Sequence, residues 1–200
     1  MVRAAYDLFC ARGYLGTTIS AIAEEAGVAV PTVYYTFGVK AALLDESLGA
    51  AIVGFDRWRK PPPHPQIDEL LPWHGWWREF ESAPTSHNAF DIFFTHGVGI
   101  LGRVAPLVVT LHGAAGDPEA AEVVRISEQR RVQTYRESVR VIAGRPGSLR
   151  PGLTSAKATD ILVVLFSAEV YRSIRTGRGW SARRTAAFLR ELLSAQLLPD

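Results

Sequence analysis

Apolar residues recur along this chain at intervals of three and four, the spacing that aligns side chains on one face of a helix. The strict alternation of a half-buried strand is nearly absent. The β-branched clusters Val108-Val109-Thr110 and Val163-Val164 sit inside longer stretches of helical spacing, so both are read as helix. Glycine, proline and capping residues punctuate the pattern into roughly seven to ten helices. The first covers about 2–12 and stops at Gly13, a residue suited to the position just past a helix end. Short helices at about 18–26 and 30–36 flank Gly27-Val28-Ala29, and a longer one runs from near Val39 to about Asp56. Pro61-Pro62-Pro63-His64-Pro65 is incompatible with a helix interior. The domain boundary is placed before or within that segment. The division is 1–50 and 51–200, with the helix at the junction continuing to about 56, and a short helix up to Leu71 is left open.

Farther on, 73–81 and 88–101 have helical spacing, and Pro106 interrupts before a helix at about 107–115. Asp117-Pro118-Glu119 is a helix start, with a capping acid, a proline in the first turn and a second acid facing the dipole. That helix is expected to reach Ala143 and end at Gly144. A Gly- and Pro-rich loop over 145–153 precedes a helix capped by Thr154 or Ser155 and reaching about Thr176. Ser181 caps the last, to about Leu198.

The segment Thr17–Lys40 carries the functional information. A helix-turn-helix needs two short helices joined by a tight turn. Ile22 and Ala26 share a face of the first helix, and small Ala23 permits close approach of the second. Gly27 supplies the positive φ that ends the first helix, and Val28 and Val33 fill the wedge. Pro31 is tolerable only near a helix start, which independently places that start near Val30. The second helix presents Thr32, Tyr34, Tyr35 and Thr36, whose hydroxyls suit phosphates and base edges. One of the two tyrosines is expected to pack inward. Lys40 falls in the first turn of the next helix, where the dipole disfavours a cation; a phosphate nearby would reverse that penalty.

Net charge contributes nothing to this reading. The chain of 200 residues carries a formal charge of +2, and the six cations of residues 1–60 are matched by six acids. Hydrophobic residues make up 48% and charged residues 21%, as expected of a folded soluble protein. No uninterrupted apolar run approaches the roughly 20 residues that span a bilayer, so no membrane association is expected. Cys10 is the only cysteine, which excludes an intrachain disulfide and fits a reducing cytoplasm. Its expected role is an inert small residue. No Ser/His/Asp set, phosphate-binding glycine loop or paired carboxylate has informative spacing, so no enzyme activity and no cofactor are expected. The five histidines never fall four apart on a helix, so no metal site is expected either.

The run Leu8-Phe9, Gly13-Tyr14, Thr17-Thr18, Ile22-Ala23, Ala26-Gly27-Val28, Thr32-Val33-Tyr34-Tyr35-x-Phe37 and Lys40 resembles the DNA-binding domain of the tetracycline-repressor (TetR) family. The resemblance covers residues 3–50 at several fixed spacings at once. It implies an all-α protein: a three-helix helix-turn-helix head and a C-terminal helical domain for ligand binding and dimerisation. It also implies phosphate contacts from Thr17 or Thr18, Tyr35 and Lys40. Val28, Ala29, Val30, Pro31, Thr32 and Tyr34 would then lie at or near the major groove of double-stranded operator DNA. Because Val30 and Pro31 offer only apolar or backbone contacts, direct base readout is expected to be thin.

The aromatic residues Trp73, Trp76, Trp77, Phe80, Phe93 and Phe94 cluster at helical spacing. They read either as ordinary core or as the wall of an apolar cavity. In the second case the effector is a small apolar or aromatic molecule, with His96 and Tyr135 as its polar contacts. Ile161 and Leu165, and likewise Phe188 and Leu192, belong to apolar stripes broader than one core contact needs, which suggests a homodimer. The expectation is a ligand-responsive regulator, a repressor in the leading form. An all-α enzyme or an interaction module retaining the head are the competing classes.

Overall fold

The computed structural model describes residues 1–59 and 67–199, so the proline-rich stretch 61–65 with His64 lies outside the described residues. Every regular element among the described residues is helical. They are α1 (Val2–Arg12), α2 (Ile19–Glu25), α3 (Val30–Phe37), α4 (Lys40–Val53), α5 (Ile67–Leu70), α6 (Trp77–Glu81), α7 (Ser86–Val104), α8 (Val108–Gly113), α9 (Pro118–Ala143), α10 (Ser155–Leu165), α11 (Ala168–Arg172) and α12 (Ala182–Leu197). The all-α class and the N-terminal helix-turn-helix expected from sequence are both present. Residues group into two compact units, 1–60 with 106–128 and 61–105 with 129–200.

In the first unit, α1 packs along α4. Ala5 and Phe9 on α1 are fully buried, as are Leu43 and Leu44 on α4, which follows from the 3.6-residue period of each. The buried Thr110 hydroxyl of α8 donates to the Phe9 carbonyl at 2.5 Å. Asp117 caps α9 as its sequence foretold, accepting from the Glu119 and Ala120 amides at 3.0 and 3.1 Å. Beyond α4, the Trp58 indole donates to the buried Glu46 carboxylate at 2.5 Å. A carboxylate out of water needs such a partner.

The second unit is held by rings. Phe90, Phe93 and Phe94 of α7 are buried, and Phe166 stacks beside Phe93 and Phe94 with centroids 5.4 Å away from each. Gly97 permits this approach, because a Cβ there would meet the Phe166 ring at 2.5 Å. By length and composition the stretch Ser86–Gly116 is apolar enough to cross a bilayer, which the run-length criterion overlooked. Two 3-10 turns, at 105–107 and 114–116, interrupt it.

Two expected helices are broken. The stretch 73–81 starts as a 3-10 turn over 71–73 and becomes α-helical only at Trp77. The single helix expected over 154–176 ends at Phe166 and restarts at Ala168, with the Ser167 hydroxyl accepting from the Val170 amide. It then widens into a π-helical turn over 173–177. Breaking a helix orphans carbonyls at its end. Here α9 supplies the donors: Arg131 reaches the Val163 carbonyl at 2.9 Å, and the Tyr135 hydroxyl donates to the Phe166 carbonyl.

Candidate nucleic-acid interface

The interface is built from the α2–α3 pair. Thr18 caps α2, its hydroxyl accepting from the Ala21 amide at 3.1 Å. Ile22 and Ala23 turn inward and are buried, while Gly27 takes φ 65° and lets the chain turn into α3. Pro31 lies in the first turn of α3, where its missing N–H leaves nothing unsatisfied. Val33 is the only buried residue of that helix. Val30 and Phe37 are half-buried, and the rest of the helix surface faces away from the core.

That surface carries two large rings. Tyr35 is 93% exposed and Tyr34 53% exposed, so neither packs inward, contrary to the expectation that one would. Thr32 and Thr36 are exposed beside them, joined by a 2.8 Å bond from the Thr36 hydroxyl to the Thr32 carbonyl. Ala29 and Pro31 are exposed, and Val28 and Val30 are half-buried. Exposed aromatic area of this size is unfavourable in water unless something covers it.

The neighbouring polar residues divide between scaffold and surface. Thr17 is fully buried, its hydroxyl donating to the Gly13 carbonyl at 2.7 Å and lying 3.2 Å from that of Leu8. It pins the end of α1, whereas the adjacent Thr18 stays exposed. Lys40 opens α4 as expected, but its ammonium has partners within the protein. Nζ donates to the carbonyls of Tyr14 and Thr17 at 2.8 and 3.1 Å and sits 4.0 Å from the Tyr14 ring centre. Desolvation lowers the Lys40 pKa, and the Asp117 carboxylate opposes that shift. These carbonyls, with the ring face, offset the dipole penalty that the sequence attributed to a phosphate.

Tyr14 belongs to the run that resembles the family, but its sequence position gives no hint of its partner. Its buried hydroxyl donates to Asp117 at 2.9 Å, across 103 residues. Burial, then this bond and the nearby acids, raise the phenol well above its ordinary range. The Ala120 amide and the Tyr14 hydroxyl hold the Asp117 carboxyl below its own. Cys10 is half-buried, its thiol pushed up to about 11 by burial, which leaves little thiolate at neutral pH.

In the second unit, Trp77, Phe80, Phe93, Phe94 and Tyr135 are buried against one another, while Trp73 is half-buried. Trp77 and Phe80 lie 5.0 Å apart, Phe80 and Phe93 6.2 Å, and Phe93 and Tyr135 6.0 Å. His96 is exposed and stacks on Trp76 at 5.2 Å. Phe166, which joins the rings of α7 to Tyr135, was missed because its position read as mid-helix. On α10 and α12, Leu162, Leu189 and Leu193 are buried. Ile161, Leu165 and Leu192 are half-buried, and Phe188 remains 42% exposed.

A short helix carrying exposed hydroxyls and rings, set on a glycine turn after a capped partner helix, is the architecture of a helix-turn-helix. Residues 1–47 match the family described as bacterial regulatory proteins, tetR family. No curated protein matches the chain by sequence. Among solved structures it is similar to NalD of Pseudomonas aeruginosa, the secondary repressor of the MexAB-OprM multidrug efflux pump. That match has 21% identity and a TM-score of 0.66, covering 100% of this chain and 95% of the other. The ketosteroid transcriptional regulator KstR2 of Mycobacterium tuberculosis shares 17% identity at TM-score 0.60, over 100% and 93% of the two chains. FadR of Bacillus subtilis, in complex with stearoyl-CoA, shares 16% identity at TM-score 0.61, over 96% and 95%. Residues 1–47 thus match the tetR-family model, and the fold of the whole chain is similar to that of these solved structures.

Proposed function

We propose that the protein is a homodimeric repressor that binds a palindromic operator through α2 and α3 and leaves it when a small apolar or aromatic effector binds the C-terminal domain. The observation that carries the DNA reading is the exposure of Tyr34 and Tyr35 on a helix with one buried residue. Thr18 and Tyr35 contact phosphates, and Lys40 offers its remaining proton to the same backbone. Thr32, Tyr34 and Thr36 face the major groove with Ala29 and Pro31. Thr17 and Val28 support them from behind.

Dimerisation follows from the second apolar face of α10 and α12. Leu162, Leu189 and Leu193 satisfy the core, and Ile161, Leu165, Phe188 and Leu192 remain for a partner. A two-fold pair places two recognition helices one DNA turn apart, roughly 34–36 Å. The effector reading rests on the aromatic residues of the second unit. FadR holds stearoyl-CoA, so a protein of this fold accommodates a long acyl chain. Rings and few charges favour an apolar or aromatic body here. Release then requires that the effector prefer one dimer geometry over the other.

The test is fluorescence anisotropy with duplexes from the region flanking the protein's own coding sequence. Specific binding to a palindrome is expected, weakening steeply as salt rises, and Tyr35→Ala is expected to weaken it at least tenfold. A folded wild-type protein that shows no preference for any such duplex overturns the reading.

A further inference from the structure

The stretch 170–190 contains six arginines and no acidic residue or lysine. Since the whole chain carries only +2, everything outside this stretch is net negative. Arg190 is paired with Asp91. No ion pair is found for the other five, Arg172, Arg175, Arg178, Arg183 and Arg184, among the described residues. Four of them are exposed, and Arg172 is half-buried.

They are not spread at random over a helix face. Three lie on or beside the π-helical turn 173–177, and two open α12. Trp180 stands between the two groups. Arg175 donates to its carbonyl, and the Arg184 guanidinium lies 3.9 Å from its ring centre. Five guanidinium groups thus fall within thirteen residues, two of them meeting at Trp180, with no acid in the stretch to offset their repulsion. A polyanion relieves that repulsion, and arginine suits phosphate oxygens by its forked geometry.

The head, by contrast, has balanced charge, and its Lys40 is already bonded to two carbonyls. Duplex DNA is the polyanion that a regulator of this fold meets, and most of its binding energy commonly comes from cations on phosphates. We propose that the arginine-rich turn around Trp180 is a second DNA-contacting surface, which binds the phosphate backbone without reading sequence. This rests on the DNA-binding reading above and adds to it a source of affinity outside the helix-turn-helix.

The test compares the wild-type full chain with Arg178→Gln/Arg183→Gln and a control, Arg140→Gln, whose arginine is exposed and paired with Glu137. Operator affinity is measured from about 50 to 200 mM salt. Each phosphate contact contributes about 0.9 to the slope of log affinity against log salt. The double variant is expected to flatten the slope by about 2–4 per dimer and to weaken binding about tenfold or more at low salt. Its preference for the operator over a scrambled duplex should persist, as should its melting temperature. The control should keep the wild-type slope. An unchanged slope in the double variant overturns the proposal, as does equal flattening in the control. If binding to phosphatidylserine vesicles falls while the DNA slope stays fixed, the partner is an anionic membrane and the proposal again fails. Absence of operator binding by the wild-type protein would instead overturn the regulator reading itself.

Discussion

Tyr34 and Tyr35 stand in solvent on an eight-residue helix, whereas Phe90, Phe93 and Phe94 are buried on one of nineteen residues. The head closes its core with residues of every size, from Ala5, Ala23 and Val33 to Ile22, Leu43, Leu44, Phe9 and Tyr14, and with Thr17 as a polar anchor. The second unit fills its interior with rings and carries arginines on its surface. Aromatic side chains on α3 and on α7 therefore signal opposite things. Tyr34 and Tyr35 on α3 are surface, whereas the rings of α7, like Phe9 and Tyr14 in the head, are interior. Position on the helix decides which, because α3 buries one residue and α7 buries seven.

The sharpest test of this contrast removes one ring from each region. Phe94→Ala deletes a ring packed against Phe90 and Phe166 and under the Arg190 guanidinium. A loss of about 3–5 kcal/mol is expected, for the lost transfer energy and the cavity left behind. Tyr35→Ala should change stability by no more than about 0.5 kcal/mol. Urea unfolding measures both. Equal losses would mean that Tyr35 is structural after all.

Dimer contacts test the same distinction on α12. Leu189 and Leu193 face the core, and Leu192 is half-buried beside Phe188. Leu192→Glu would bury a charge only if a partner covers that face. Sedimentation should show a dimer weakened by about 3 kcal/mol, on the order of a hundredfold, with the monomer still folded. A wild-type protein that runs as a folded monomer at micromolar concentration would overturn the dimer model.

A smaller effect is expected from pH. His74, on the turn before α6, has its pKa lowered from 6.5 to about 4 by burial, then by the Arg103 and His96 charges. The unfolded chain takes up this proton near pH 6.5, the folded protein only near 4. Lowering the pH through that window therefore favours unfolding. Stability present above about 6.5 is lost progressively towards 4, by about 2–3 kcal/mol. His74→Gln should remove that limb from a plot of unfolding free energy against pH. An unaltered acid limb would place its origin elsewhere.

The sequence made the local part of this structure legible. α1 ends at Arg12 before Gly13, Pro31 sits in the first turn of α3, and Asp117 caps α9, because each depends on neighbours within four residues. The break at Phe166 was missed for a related reason: the apolar run Ile161–Phe166 outweighed the start signal Ser167-Ala168-Glu169. Long-range bonds left no trace. Thr110 meets Phe9 and Asp117 meets Tyr14 across about a hundred residues, and no periodicity encodes that. Lys40 stands out in the sequence as a cation in the first turn of α4, but the carbonyls that accommodate it lie in the α1–α2 connection.

The smallest effects expected separate two adjacent threonines. Thr17 is buried with its hydroxyl on two backbone carbonyls, and Thr18 is exposed with its hydroxyl capping α2. Thr17→Val leaves buried acceptors without a donor and should lower stability by about 1–3 kcal/mol. Once the folded fraction is accounted for, it should bind the operator as the wild type does. Thr18→Ala should lower stability by only about 1 kcal/mol, the usual loss at an N-cap. It should also weaken operator binding about fivefold, the equivalent of one hydroxyl–phosphate bond. Thr18→Ser keeps an oxygen able to do both and should recover both. Calorimetry and anisotropy on the three variants decide the assignment. If Thr17→Val is the one that loses affinity at full folding, the hydroxyl that meets DNA belongs to Thr17, and the loop around it must open to bind.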